Sequence, residues 1–362
     1  MKVMCMYLPQ YHTFPENDEW WGKDYTEWVA VKRAEPLFPG HVQPRIPLGK
    51  EYYDLDKDGV KTLTRQAELA RKYGIYGFSV YQYYFGEKTL MDKPLKTLLA
   101  HPEIDINYNL CWANETWTRT WYGLSDQVLI SQEYGQKDDW RRYFEYLLPF
   151  FKDRRYIKVD NRPVWQIYKT FDIPCFEEMS KAMNVWAREE GFDGVYIISG
   201  KTAAGYDTRD DLIDGYYYFE PGYSLKYDLS AMGSFCYKAG TFARSIRNRL
   251  VGKKHGFILE RRIPAKRIMR AAAARNYKEN EFPGIIPDWD NTPRRGYKGL
   301  VYTGTSPELF EETLMVLKEK VKDHPADFVY VNAWNEWGEG AFIEPDETRG
   351  YAYLEAIGRV VR

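Results

Sequence analysis

The chain has 362 residues, 44% of them hydrophobic and 28% charged, with a formal charge of −1. That composition excludes a disordered chain and gives no global attraction to nucleic acid or membrane. Four widely spaced cysteines, Cys5, Cys111, Cys175 and Cys236, form no C-x-x-C pair and are expected as reduced thiols.

In chain order, short apolar runs alternate with helical patterns, which argues for βα units and a mainly parallel sheet. "KVMCMYL" opens the series. No leader-like segment precedes Pro9 and no apolar span has membrane length, so the N-terminus predicts a cytoplasmic protein; an exported chain stripped of its leader would read the same. A long loop rich in Pro, Trp and Tyr follows at residues 9–57, and its rings, as in "DEWWGKDYTEW", suit sugar faces as well as cores. Val60, Leu63, Ala67 and Ala70 share one face of a helix expected near residues 58–73, stopped by Gly74. "YGFSVYQYYF", "INYNLCW", "PVWQIYK", "VYIIS" and "GYYYFEP" are the next strand candidates.

A basic insertion, expected to be helical, occupies about residues 223–283. Between Lys226 and Arg275 there are 13 Lys and Arg against Asp228 and Glu260, so this segment carries +11 and the remainder −12. "GIIPDWD" and "FVYVNAW" complete eight strands. The last is preceded by a helix from Ser306, with Pro307 in its first turn, that buries Phe310, Leu314, Leu317 and Val321 and ends before His324. Eight strands with intervening helices and no phosphate-binding glycine motif predict an α/β protein, a (β/α)8 TIM barrel forming one catalytic domain over residues 1–362. The loop at 9–57 and the basic insertion both follow strands, which puts them at the C-terminal, catalytic face.

At the end of the eighth strand, "VNAWNEWGEG" sets Glu336 and Glu339 three positions apart, with Gly338 and Gly340 to turn the backbone sharply. Two converging carboxylates suit glycoside cleavage: one protonates the departing oxygen while the other assists at the sugar. A tight turn favours the close spacing, ~5 to 5.5 Å, that goes with retention of configuration. Crowding of the acids against apolar Trp337 would raise one of the two pKa values. A solvated loop with two unrelated acids is the competing reading.

The blocks "YLPQYH", "PENDEWWGKDYTEW", "PLFPGHVQP", "CWANETWTR", "DWDNTPRR" and "NAWNEWGEGAFIEP" together resemble the WbsX-like family of bacterial polysaccharide loci. The resemblance covers nearly the whole chain. That family is in turn similar to glycoside hydrolase family 99, the endo-α-mannosidases, which are (β/α)8 barrels. The resemblance implies that Glu339 is the general acid/base. It also implies that Glu336 takes the proton of the sugar 2-hydroxyl, so that this oxygen attacks the anomeric carbon through a 1,2-anhydro intermediate. The departure is Gly338, where those hydrolases commonly carry histidine.

Glu115 in "CWANETW" offers another arrangement, in which it donates the proton and Glu336 attacks directly; binding of a sugar hydroxyl is its simpler role. Asn114 and Asn335 are suited to fixing sugar hydroxyls or forming turns, and Trp112, Trp117, Trp334 and Trp337 to forming stacking walls. Asp288, Asp290, Asn291 and Arg294 enter through the family-like "DWDNTPRR" block. Tyr7, Tyr81 and Tyr83 end the first two strands and either reach inward or pack. His12 and His41 are expected to be structural.

"DLDKDG" at 54–59 imitates a calcium loop but meets Arg65 at the twelfth position, and the two D-x-D matches, Asp54-x-Asp56 and Asp288-x-Asp290, are short enough to arise by chance. No obligatory metal or other cofactor is expected. The leading expectation is a retaining α-glycosidase, mannosidase-like and in one form endo-acting, with a bacterial oligosaccharide or polysaccharide as substrate. A glycosyltransferase of O-antigen or capsular polysaccharide synthesis is the alternative enzyme, and a non-catalytic glycan-binding relative the third reading. Residues 226–275 suit an anionic glycan, a lipid-linked glycan or an anionic membrane surface, or form only a solvated face.

Overall fold

The computed structural model describes residues 1–86, 88–118 and 127–362; Arg119, the last residue of "CWANETWTR", lies outside them. The principal strands are β1 (Lys2–Tyr7), β2 (Ile75–Phe85), β3 (Asn107–Trp112), β4 (Arg162–Ile167), β5 (Tyr196–Lys201), β6 (Gly215–Tyr218), β7 (Glu281–Phe282), β8 (Gly284–Ile285) and β9 (Phe328–Val331). Each of the eight apolar runs supplies one of them. Successive strands from β1 to β7 pair in parallel, β8 pairs with β9, and β9 returns to β1 with Val3 opposite Val329. β7 and β8 flank Pro283, which has no N–H for a ladder, yet its carbonyl still accepts from Tyr330 N at 2.8 Å. The two short pieces thus fill one strand position between β6 and β9, and the ring is a nearly closed parallel barrel.

Strands covered on both faces should read as almost unbroken apolar runs, and β1, β2 and β3 are buried over nearly their whole length. The barrel interior also holds polar groups that satisfy one another. Gln166 Oε1 accepts from Ser79 Oγ at 2.7 Å and from Asn109 Nδ2 at 2.8 Å, all three residues being fully buried.

Around the barrel, the helix Gly59–Lys72 buries Leu63, Ala67 and Ala70 as expected, but Val60 remains 38% exposed. Its first turn rests on the helix Lys93–Ala100 through Gly59, whose neighbour there is Thr97, and this turns Val60 outward. The helix Pro307–Val321 is capped by Ser306 Oγ, which accepts from Leu309 N, and Phe310, Leu314, Leu317 and Val321 are all fully buried.

Residues 9–57 contain short helices at Pro15–Trp21 and Glu27–Lys32. The basic segment is not wholly helical. It comprises the helix Ala231–His255, a strand Arg261–Pro264 paired in parallel with Leu300–Thr303, and the helix Ala265–Ala274. Ile263, Ile268 and Met269 from this segment join Ile286, Trp289, Leu300 and Tyr302 in a second, smaller apolar core.

Candidate active site

Beyond β9 the chain makes a hairpin, Asn335–Glu336 pairing antiparallel with Ala341–Phe342 across the turn Trp337–Glu339. Gly340 closes the turn at φ 63°, in the left-handed region that favours glycine. Gly338 is needed for a different reason: a Cβ there would collide with Glu27 Oε1.

Three anchors hold the hairpin. Asn335 clamps it to the end of β1, its Oδ1 accepting from Leu8 N at 2.7 Å and its Nδ2 donating to Leu8 O at 2.9 Å. The indoles of Trp334 and Trp337 donate to opposite oxygens of the buried Glu344 carboxylate at 3.0 and 2.7 Å. Glu344 also receives Gln66 Nε2 at 2.7 Å and the Tyr53 hydroxyl at 3.0 Å. Four donors compensate one buried carboxylate and so fix the backbone that carries Glu336 and Glu339.

Those two carboxylates face one guanidinium. Arg294, on the short helix Thr292–Arg295, donates from Nη1 to Glu339 at 2.8 Å, from Nη2 to Glu336 at 3.1 Å and from Nε to Glu27 at 2.8 Å. The side chain of Glu336 is 8% exposed and that of Glu339 23%, so Glu336 lies deeper. Burial pushes Glu336 up to about 8; Arg294 opposes the rise, while the charges of Glu339 and Glu27 add to it. Glu339 is also raised by burial, against the pull of Arg294.

Both acids line a cavity of about 240 Å³ at the C-terminal ends of the strands. Tyr81 and Tyr83 from β2, Trp117, Tyr168, Phe219 and Trp289 form its aromatic walls, and Trp21 and Gln10 from the first long loop contribute to its rim. Trp117 meets the Tyr83 ring edge-on at 5.1 Å. Glu115 also lines the cavity and is ion-paired with Lys169 Nζ at 2.5 Å.

The cavity therefore gathers Glu336, Glu339, Glu115, Arg294, Tyr81, Tyr83 and Trp117, while the remaining expected residues lie behind its walls. The Tyr7 hydroxyl donates outward to Gln66 on the helix Gly59–Lys72 at 2.8 Å. Trp112 packs on Tyr143 and donates to Tyr84 O, and Asn114 braces Lys169, accepting from its N–H and donating to its carbonyl. Trp334, Trp337 and Asn335 support the hairpin, as described above. Asp288 is held by Arg45 at 2.6 Å and Arg349 at 2.8 Å; Asp290 by His41 and Gln43, each at 2.6 Å. Asn291 accepts from Leu300 N at 2.7 Å. His41 is thus structural, its Nδ1 accepting from Leu37 N and its Nε2 facing Asp290.

Reading the sequence overlooked Glu27, Trp289, Tyr168, Phe219 and Lys169. Glu27 and Trp289 lie inside quoted family-like blocks, "PENDEWWGKDYTEW" and "DWDNTPRR", which was the available signal. Among the described residues no group of three or more His, Cys, Asp or Glu side chains is placed to hold a metal ion.

Comparison with known proteins agrees with this fold. The chain is similar to the GH99 endo-alpha-mannosidase from Bacteroides thetaiotaomicron, with a TM-score of 0.55 at 13% identity over 99% of this chain and 96% of that one. It is also similar to a glycoside hydrolase-like protein, with a TM-score of 0.58 at 14% identity over 100% of this chain and 94% of that one. At these identities the likeness shows the fold. In sequence it is 35% identical over 358 residues to the uncharacterized protein WxcX of two strains of Xanthomonas campestris pv. campestris, ATCC 33913 and B100. The match takes in 98% of this chain but 48% of WxcX, so the chain spans about half the length of these curated relatives. The family model described as "Glycosyltransferase WbsX" matches residues 3–357, and the chain belongs to the WbsX family.

Proposed function

We propose that the protein cleaves an α-glycosidic bond with retention of configuration, in a mannosidase-like reaction on an oligosaccharide or polysaccharide. The observation that carries this reading is the pair Glu336 and Glu339, bridged by Arg294 in an aromatic-walled cavity of a barrel that resembles glycoside hydrolases. Glu339, nearer the opening, gives its proton to the departing glycosidic oxygen. The reacting form holds a single proton in the pair, on Glu339, so the ionised Glu336 takes the 2-hydroxyl proton, the 2-oxygen bonds to the anomeric carbon, and the glycosidic C–O bond breaks to leave a 1,2-anhydro sugar. Water then opens that ring: Glu339 removes its proton, Glu336 returns one to the 2-oxygen, and both acids regain their starting states.

Tyr83 and Trp117, in the aromatic wall, offer rings on which the sugar packs. Glu115, engaged by Lys169, accepts hydrogen bonds from sugar hydroxyls in the cavity.

The charge of the site supports cleavage of a neutral glycan. Arg294 is committed to Glu27, Glu336 and Glu339 and Lys169 to Glu115, which leaves neither cation to hold the diphosphate of a nucleotide sugar. The description of the family as a glycosyltransferase favours a second reading, transfer to a sugar hydroxyl through the same acid pair. NMR of the purified protein acting on α-mannosides separates the two. Release of an α-configured first product without nucleotide sugar supports the proposal. A β-configured first product, or turnover only with a nucleotide sugar, overturns it.

A further inference from the structure

The helix Ala231–His255 turns its apolar side to solvent. Met232, Phe235, Phe242 and Leu250 are 70%, 67%, 68% and 76% exposed, and together with Ala239 and Ile246 they recur every three or four residues along one face. The opposite face is fastened by polar bonds. Asn248 Nδ2 donates to Ile258 O at 2.7 Å, Asn248 Oδ1 accepts from Ile258 N at 2.9 Å, and Arg244 Nε donates to Glu260 O at 2.7 Å. Folding for the core alone would place the phenylalanines inward, so a helix bolted down by asparagine and arginine with its phenylalanines outward is built to contact something else.

Charge identifies that contact. No Asp or Glu occurs from residue 229 to residue 259, while exposed Lys238, Arg249, Lys253 and Lys254 border the apolar stripe. An apolar strip edged by cations matches the boundary between anionic headgroups and acyl chains, where rings and aliphatic groups sink in and ammonium and guanidinium groups meet phosphate. A second copy would set two cationic helices against each other. Among the described residues no helix is long and apolar enough to cross a membrane, so this one would lie along the surface.

We propose that the helix Ala231–His255 docks the protein onto an anionic lipid bilayer. This does not depend on the reaction assigned to the cavity. It does concern the cavity's surroundings, because the strand Arg261–Pro264 that follows the helix shares its small core with the wall residue Trp289. A docked helix thus holds the sugar site close to the lipid surface.

Flotation of the full chain with vesicles tests the proposal. It should bind phosphatidylcholine vesicles containing phosphatidylglycerol, and pure phosphatidylcholine at least 100-fold more weakly. Phe235→Ser/Phe242→Ser/Leu250→Ser and Lys238→Glu/Arg249→Glu/Lys253→Glu should each lose about 100-fold or more in binding to the anionic vesicles. All six side chains are exposed, and circular dichroism confirms that the variants remain folded. Absence of wild-type binding, or equal binding by the apolar triple variant, overturns the proposal. A dimer in sedimentation that the apolar substitutions dissolve also overturns it, by assigning the face to a second copy.

Discussion

Arg294 is the residue on which the charge balance of the site turns, because its guanidinium reaches Glu27, Glu336 and Glu339 from three nitrogens. Replacing it with methionine leaves three crowded carboxylates without that compensation. Breaking a buried ion pair from one side costs about 3–5 kcal/mol, so the urea midpoint of Arg294→Met should fall markedly at pH 7 and less at pH 5, where the acids take up protons; equal midpoints for variant and wild type would refute the balance. Glu336 makes a separate prediction. Its carboxyl is raised from 4.5 to about 8, so between those values the folded chain keeps a proton that the unfolded chain has released. Its contribution to stability is therefore complete below pH 4.5 and is lost as the pH rises through 8. Glu336→Gln removes that loss, and stability measured against wild type should shift in its favour from pH 5 to pH 8 by about 3 kcal/mol. A difference that stays constant across this range contradicts the raised carboxyl. At this scale the acid pair was legible because Glu336 and Glu339 are neighbours in the chain. The role of Glu27 was not, since 267 positions separate it from Arg294 and no local pattern joins them.

Among the elements, the hairpin after β9 shows how a small residue and a distant acid depend on each other. Gly338 leaves the space that Glu27 Oε1 occupies, so Gly338→Ala must displace Glu27 or the turn. In a double-mutant cycle by denaturant unfolding, Gly338→Ala should be less damaging in a Glu27→Ala background, with a coupling of about 1 kcal/mol or more; additive losses would mean that the two positions do not compete for space. The tryptophans and aspartates near the site show where element-level reading stopped. In the segment beyond β8, Asp288 and Asp290 are held by Arg45 and His41, while Trp289 between them lines the cavity. Which side faced inward depended on the positions of Arg45 and His41, far away in the chain. The β-strand Arg261–Pro264 was likewise hidden, because "RRIP" is a short, charged run whose strand form comes from its pairing with Leu300–Thr303.

For the whole molecule, the order of apolar runs was enough to read the barrel: a parallel sheet buried on both faces demands such runs, and each became a strand at its expected place. The split around Pro283 was less visible, because two-residue pieces carry no periodicity. The barrel brings the end of β9, the first long loop and the short helix Thr292–Arg295 to one opening, and so assembles the acids and the arginine from separated parts of the chain. The central claim is that Glu336 and Glu339 carry out the chemistry at that opening. Release of reducing ends from an α-mannan or a bacterial polysaccharide, compared at pH 7 for wild type, Glu336→Gln and Glu339→Gln, tests it most directly. Each variant should lose about 100-fold or more in kcat, while remaining folded by circular dichroism. Full activity in either variant would contradict the account.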